Sequence, residues 1–416
     1  MQIFIYPLFA LAIFLNVAFL KLGGSVPLRI LVLCVAFGLL ATFHIRHFRY
    51  FLQRHKYAVG LFLFIAVLGS VLTIVNDHDV LATMLHILRQ ILQPFMLLVT
   101  AYSLCHLVGV ERTAAVLYAA LAATIAVALA QGIGLDFAWK IREMIGSIQN
   151  DPALNAAMVR SRTRVMGLSF SPIEFSYQLA AGYVLAFILL RANVIAARSY
   201  YLIVGVILVG AVVNGTRSLV LGMIVHEFVR YLTKADIKAY AIIAVAVTIG
   251  YFAVPYLMES GSRFVTVEDQ SASGRKILFT FGAILFSDNL FGLGWSFSPQ
   301  DYAWLYWEHL SDFGKPEIIY RLNLHNALLI YLLVYGIIGV VPIIFFAFRK
   351  PRTSALFLFC FISYFIHSFF HNKGIFLADQ FIWVAVAVFL YLQDQGKLKL
   401  VGNARPQPVD QRMALA

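Results

Sequence analysis

Arginine side chains recur in the polar segments that separate the apolar runs of this sequence. Arg164 stands shortly before Gly167, Arg217 lies in the short polar stretch that begins at Asn214, and Arg275 falls within a long polar segment. A guanidinium group close to lipid is costly unless it is paired or functional. Its planar fork matches phosphate bidentately, so these arginines predict a phosphate-bearing anionic ligand. Single arginines can also snorkel to lipid headgroups, and that alternative stays open for each of them.

Carboxylates that could neutralise these cations are few. The main candidates are Glu174, Glu259, Glu268, Asp269 and Asp288. Further arginines that fall on the same predicted face have no assigned role, although Arg321 is a candidate supporting residue; they are Arg160, Arg162, Arg263 and Arg321.

A histidine marks the point where the long polar segment meets the next apolar run. His325 precedes Asn326, whose side chain can cap the start of a helix. Histidine acts as a base near neutral pH because its ordinary pKa is about 6.5. We therefore predict His325 as a candidate catalytic base and Asn326 as a supporting residue. A histidine with satisfied hydrogen bonds is the alternative, and it is our interpretation of those inside apolar runs: His86, His226 and His367.

Common signatures of metal and nucleotide chemistry are missing from the sequence. It contains no nucleophile elbow, phosphate-binding P-loop or His-Glu-x-x-His run. Three cysteines lie in apolar stretches without metal-like spacing, which predicts core residues; they are Cys34, Cys105 and Cys360. The sequence therefore supports neither a metal cofactor nor an ATP-driven mechanism.

The elements that must position these residues are membrane spans. Of 416 residues, 61% are hydrophobic and 12% are charged, against roughly a quarter charged in soluble domains. Only lipid can cover so much apolar surface. The formal charge of +12 is interpreted as cytoplasmic Lys and Arg that set orientation, with no nucleic-acid partner. The sequence predicts an all-α polytopic protein whose partners include membrane lipids.

A helix-length window predicts about twelve spans. They lie near 3–22, 26–43, 57–75, 84–107, 113–131, 169–190, 200–215, 217–233, 239–257, 326–348, 354–371 and 375–393. The cation-rich connections are 44–56, 191–198, 234–238 and 349–352. The positive-inside rule places them, with both termini, in the cytoplasm of a bacterial inner-membrane protein. Residues 1–393 form one predicted membrane domain, and 394–416 a disordered cytoplasmic tail.

Two long segments then fall on the periplasmic face. They are 132–171 and 259–324, the second of which lies between the ninth and tenth predicted spans. Loops of this length are uncommon and usually functional. Within the second, 275–286 has a helical pattern and 302–307 is aromatic, which is typical of an interfacial belt. The candidate arginines and His325 all belong to this face.

Four sequence pieces, in order between 164 and 348, resemble the bacterial O-antigen ligase and polymerase superfamily. The first is Arg164-Val-Met-Gly-Leu-Ser-Phe-Ser-Pro, and the second is Asn214-Gly-Thr-Arg-Ser-Leu-Val-Leu-Gly. The third joins Ser273-Gly-Arg to Asp288-Asn-Leu-Phe-Gly-Leu-Gly-Trp, and the fourth begins with Leu324-His-Asn-Ala. Members of this superfamily are integral-membrane glycosyltransferases that act at the periplasmic face.

The resemblance implies transfer of a glycan from an undecaprenyl diphosphate carrier to a hydroxyl group, with inversion and without metal or nucleotide. Arg217, Arg275 and Arg164 would bind the diphosphate, and His325 would be the general base. A ligase uses lipid A–core as the acceptor, whereas a polymerase uses a second lipid-linked glycan. The single dominant loop and the His-Asn pair resemble the ligase branch, while the segment 171–176 resembles the polymerases with its order changed.

A transporter or lipid flippase is the rival interpretation from another class. It predicts inverted repeats and broken helices with polar residues near the middle of the bilayer. The sequence shows no convincing repeat, although Arg89, beside Gln90 and Gln93 and before Pro94, fits such a break. A purely structural scaffold would leave the arginine set unexplained.

Overall fold

The computed structural model describes most of the chain. It covers residues 2–18, 21–22, 26–76, 84, 86–148, 162, 164–232, 270–295, 297–310, 317–321, 323–377 and 379–398. Three sequence predictions lie outside these residues: the span 239–257, the first part of the segment 259–324, and nearly all of the tail. Within the described residues the chain is almost wholly helical. A two-residue antiparallel pairing joins β1 (Lys21–Leu22) to β2 (Val26–Pro27).

The helices follow one another along the chain with short connections. They are α1 (Gln2–Ala18), α2 (Leu28–Phe43), α3 (Ile45–Arg54), α4 (Lys56–Val75), α5 (Leu88–Leu107, with a π-helical start), α6 (Val110–Gly132), α7 (Asp136–Ile148), α8 (Pro172–Arg191), α9 (Ala197–Asn214), α10 (Arg217–Leu232), α11 (Gln270–Asp288), α12 (Trp307–Leu310), α13 (Ile318–Arg321), α14 (Ala327–Tyr335), α15 (Val341–Arg349), α16 (Pro351–Phe369) and α17 (Ile382–Asp394). Short 3₁₀ segments occupy Pro299–Tyr306 and Ile337–Val340.

Six of the described helices are long and apolar enough to cross a bilayer, and two sharply bent helix pairs raise the number to eight. Two shorter apolar helices, Phe4–Ala18 and Ile382–Asp394, accompany them. Helix α8 lies at the centre, since 83% of its apolar window is buried inside the protein. The predicted class of an all-α protein with several apolar helices is therefore confirmed in this coarser form.

Three sequence predictions about individual elements are wrong. The connection 44–56 contains helix α3, which is bent 96° from α2 and buries Phe51 while its basic residues stay outside. The segment 132–171 contains helix α7. Cys34 is exposed on α2, whereas Cys105 and Cys360 are buried as expected. An apolar side chain on a membrane helix can face lipid as readily as the protein core, so composition alone could not separate these cases.

The predicted span 326–348 is also wrong as a single helix, because the chain bends by 112° between α14 and the segment Ile337–Arg349. The bend lies at Gly336, whose φ of 64° places it in the left-handed region. It opens backbone carbonyls that helical N–H groups would normally meet. The carbonyl of Leu333 accepts from the N–H of Leu293 (2.7 Å), and that of Val334 accepts from Gly294 (3.0 Å). A second segment thus replaces the lost helical hydrogen bonds.

That second segment is the glycine-containing turn after α11, which we call the Gly292 turn (residues 289–295). The N–H of Ile337 donates to the carbonyl of Leu290 at 2.9 Å, so the two chains exchange hydrogen bonds on both sides of the bend. A Cβ atom on Gly336 would collide with the backbone of Phe291. The Gly292 turn and the bend therefore form one unit that joins the end of α11 to the end of α14.

Polar contacts collect at the two opposite ends of the helical bundle. At one end Asp394 accepts from Arg54 (3.0 Å) and from the Tyr102 hydroxyl (2.7 Å), and Arg349 donates to Tyr57 (3.1 Å). These contacts bring two of the predicted cation-rich connections together with the last helix. The other end carries the candidate arginines and His325.

Candidate functional site

Arg164 joins two of the sequence pieces that were singled out above. Its Nε donates to the backbone carbonyl of Asn214 (3.2 Å), and its Nη2 lies near Asn214 Oδ1 (3.4 Å) and Thr216 Oγ1 (3.3 Å). The side chain of Asn214 donates back to the carbonyl of Val165 at 2.6 Å. Arg164 is therefore held against the turn between α9 and α10, next to Arg217.

The chain beyond Arg164 is fixed by a buried glutamine of α6. Gln131 Oε1 accepts from the backbone N–H groups of Met166 (3.0 Å) and Gly167 (2.9 Å). Gly167 has a φ of 59°, and a Cβ atom there would collide with the backbone carbonyl of Thr124. Only glycine meets both conditions without strain. This explains the position of glycine three residues after Arg164.

Arg217 is the first residue of α10 and is half-buried. Its neighbour Ser218 lies between two histidines, at 3.0 Å from His367 Nδ1 and 2.9 Å from His371 Nε2. Helices α10 and α16 can approach so closely because Gly222 leaves no room for a Cβ beside the backbone of Ser363. Arg217 is thus placed beside a pair of buried histidines that follow each other by one helical turn.

His325 is half-buried just before α14, and its ring is oriented by the backbone. Nδ1 lies 2.6 Å from the carbonyl oxygen of Asn323, so Nδ1 carries the proton and Nε2 keeps its lone pair. Asn326 accepts from the N–H of Leu329 at 3.0 Å and caps α14, as predicted. Burial lowers the pKa of His325, the hydrogen bond to Asn323 opposes that shift, and the charge of Arg275 lowers the pKa further.

The candidate residues come together around His371, which is buried in the turn after α16. Burial holds the pKa of His371 well below its ordinary value, and the nearby His367 and the positive charges of Arg275 and Arg164 act in the same direction, with His325 also close. Arg164, Arg275, His325 and His371, which we call the arginine–histidine cluster, therefore lie at one end of the bundle. The roles predicted for Arg164, Arg217, Arg275 and His325 remain predictions.

Sequence reasoning missed His371 and gave His367 no partner. The signal was present, because His367 and His371 are four residues apart and so lie on one helical face. Their serine partners are distant in sequence: Ser218 is 153 residues from His371. A hydrogen-bonding role for His367, as interpreted from the sequence, agrees with its contacts to Ser176 and Ser218.

Other candidate cations lie elsewhere or are not described. Arg162 forms an exposed ion pair with Asp136 at 2.9 Å, away from the histidines in the network above. Arg160 and Arg263 lie outside the described residues, as do Glu259, Glu268 and Asp269. The backbone of Arg321 ends α13, and nothing is described of its side chain. Arg89 begins α5, where its carbonyl accepts from Gln380 at 2.7 Å.

Two of the candidate carboxylates have other partners than the arginines. Glu174 pairs with Lys373, whose pKa burial lowers to about 8. Asp288 accepts from the Tyr306 hydroxyl at 2.8 Å. The arginine–histidine cluster therefore keeps its positive charge for a ligand.

The cluster combines cations with a lone-pair nitrogen at the edge of the bundle. Guanidinium groups bind phosphate, and a neutral imidazole accepts a proton. Within the described part of the chain, no three His, Cys, Asp or Glu side chains are close enough together to hold a metal ion. This arrangement is suited to binding an anionic substrate beside a base.

No protein-family model matches this chain, and none of the curated proteins matches it either. A function for this chain therefore has to be argued from its own residues and their geometry.

Proposed function

We propose that this chain is an O-antigen ligase-like glycosyltransferase. It moves a glycan from undecaprenyl diphosphate to a hydroxyl group of lipid A–core at the periplasmic face of the bacterial inner membrane. The observation that carries the proposal is the proximity of Arg164, Arg275 and a histidine with a lone pair, His325, at one end of an apolar helical bundle. A lipid-linked diphosphate presents its charge at that depth.

The proposed topology has about twelve spans and both termini in the cytoplasm. Cation-rich connections meet at the end that carries Asp394, which supports a cytoplasmic location for that end. The arginine–histidine cluster then faces the periplasm. Polar groups gather at the ends of the described bundle, and this distribution favours a surface enzyme over a transporter with a site in the middle of the bilayer.

In the proposed reaction the arginines bind the diphosphate, and His325 removes the proton of the acceptor hydroxyl. The acceptor oxygen attacks the anomeric carbon while the bond from that carbon to the diphosphate oxygen breaks. The leaving diphosphate keeps the electron pair, and Arg164, Arg217 and Arg275 stabilise its added charge. Attack opposite to the leaving group inverts the anomeric carbon, and the proton stays on His325 Nε2.

A polymerase that uses a second lipid-linked glycan as acceptor is the alternative, with the same chemistry. The two are distinguished by complementation of strains that lack either their ligase or their polymerase, read as glycan attached to lipid A–core on a gel. We expect restored attachment in the ligase strain. Restored chain length in the polymerase strain alone would assign the polymerase reaction instead. Absence of rescue in both strains, with the protein present in the membrane and compatible glycans supplied, would count against both.

The pH dependence of transfer provides a second test. Because burial and Arg275 lower the pKa of His325, the base stays neutral to a lower pH than an ordinary histidine. We expect the acidic limb of the kcat/KM profile of purified protein to lie below pH 6.5, the ordinary histidine value. Arg275→Gln removes a positive charge and should move the limb upward, besides reducing the rate.

Arg162→Gln is the matched control for this pH test, because Arg162 is an exposed arginine paired with Asp136. It should leave the acidic limb unchanged. A limb above pH 6.5 in the wild type, or one that Arg275→Gln does not move, would contradict the assignment of His325 as the titrating base.

A further inference from the structure

A chain of four hydrogen-bonded side chains runs from the central helix to the arginine–histidine cluster. Ser176 of α8 lies 3.0 Å from His367 Nε2, and Ser218 of α10 links His367 Nδ1 (3.0 Å) to His371 Nε2 (2.9 Å). Three separate helices and the turn after α16 contribute to it. His367 is fully buried and His371 is 4% exposed. Such a chain specifies where each proton lies.

The proton positions follow from the first member of the chain. The Ser176 hydroxyl donates to the carbonyl of Ile173 at 2.6 Å, so its oxygen must accept from His367 Nε2–H. His367 is buried against serine hydroxyls, where a charged imidazole would be costly, so its Nδ1 is an acceptor. Ser218 therefore donates its proton to His367 Nδ1. The oxygen of Ser218 then accepts from His371 Nε2–H.

This assignment leaves the Nδ1 atom of His371 with a lone pair. The atom is buried and has no hydrogen-bond partner among the described residues. Arg164, Arg275 and His325 lie near the ring. A buried acceptor without a partner is costly, so its retention in a native site calls for an explanation. A donor supplied by a bound substrate is one.

We propose that His371 Nδ1 accepts a hydrogen bond from a hydroxyl group of the sugar that is attached directly to the diphosphate of the donor. This inference rests on the proposed function and adds a residue that recognises the glycan. A diphosphate oxygen without a proton cannot donate to this lone pair, and an ammonium group is repelled by the two arginines. A sugar hydroxyl is uncharged and donates. Because both predicted diphosphate ligands, Arg164 and Arg275, lie near His371, the first sugar is the part within reach.

The substitutions His371→Gln and His371→Asn separate the two nitrogens of the ring. A glutamine amide can reach the position of Nε2 and keep the contact with Ser218, but it leaves no acceptor at Nδ1. An asparagine oxygen occupies the position of Nδ1 and keeps the acceptor. Loss of a hydrogen bond that leaves one partner unsatisfied costs about 1–3 kcal/mol, which is roughly 5–150-fold in affinity.

The test is direct binding of two kinds of ligand to purified protein. One ligand is undecaprenyl diphosphate without sugar, and the other carries one sugar, either glucose, galactose or N-acetylglucosamine, each in turn. We expect the wild type to bind at least one sugar-bearing ligand more tightly than the bare diphosphate. His371→Gln should lose that extra affinity, about tenfold, and keep the affinity for the bare diphosphate. His371→Asn should retain most of the extra affinity.

The outcomes distinguish this inference from the proposed function. A wild type that binds no undecaprenyl diphosphate would overturn the proposed function, and the inference with it. Binding of the bare diphosphate without any gain from a sugar, or an equal gain in wild type and His371→Gln, would overturn the inference alone. If His371→Gln does not fold, Ser218→Ala replaces it. That variant releases the tautomer of His371 and should reduce the affinity for the sugar-bearing ligand only.

Discussion

His325→Ala is expected to lower glycan transfer by about 10²–10⁴-fold, the usual contribution of a positioned general base. The Asn323 carbonyl fixes the proton on Nδ1, at 2.6 Å, and leaves Nε2 to receive the proton of the acceptor. Alanine removes that nitrogen without disturbing the cap of α14, which belongs to Asn326. Binding of the diphosphate should change little, because the arginines remain. The measurement is transfer by purified protein at saturating donor, together with complementation of the ligase-deficient strain.

The control for His325→Ala is His47→Ala at the opposite end of the bundle. His47 is half-buried and stacks on His106 at 5.6 Å between ring centres, so its replacement also removes a packed imidazole. It should leave transfer near the wild-type rate. Full activity in His325→Ala, with membrane levels equal to the wild type, would assign the base to another residue.

Gly336→Ala is expected to have the largest effect on folding. An L-residue in the left-handed region costs roughly 1–2 kcal/mol, and the added Cβ would meet the backbone of Phe291 in the Gly292 turn. Overpacking of this kind adds roughly 1–3 kcal/mol. The same displacement would separate α11, which carries Arg275, from the helix that follows His325. We expect a lower midpoint of thermal unfolding in detergent and a loss of transfer at temperatures where the protein is still folded.

The matched control is Gly134→Ala, at a glycine with a φ of 81° and nothing within 4 Å of the added Cβ. It carries the conformational cost without the collision. We expect Gly336→Ala to be more destabilising by about 1–3 kcal/mol. Equal unfolding midpoints for the two variants would mean that the contact with the Gly292 turn adds nothing to stability.

The helices were predictable where composition alone determines them. The stretch 275–286 was expected to be helical and lies within α11, and the predicted span 217–233 is observed as α10. A window of hydropathy responds to the number of apolar residues and not to the partners of their carbonyl groups. The bend at Gly336 depends on hydrogen bonds from residues about forty positions earlier, so no local pattern could predict it.

The candidate site was predictable in its charges and not in its uncharged polar network. Arginine near lipid is rare enough to be conspicuous, and Arg164 and Arg275 were found on that basis. His371 sits in a short turn whose sequence is unremarkable. Its place in the site arises from Ser218, which only the packing of α10 against α16 brings to it.

The polar contacts around Asp394 have a consequence for the assembly of the protein during synthesis. Asp394 is the last residue of α17, yet its carboxylate contacts Arg54, His55 and Tyr102, which are made some three hundred residues earlier. Those three side chains enter the membrane region before their acceptor exists. The final helix therefore completes the packing of the first ones, and a chain that stops short of it leaves their donors without this carboxylate.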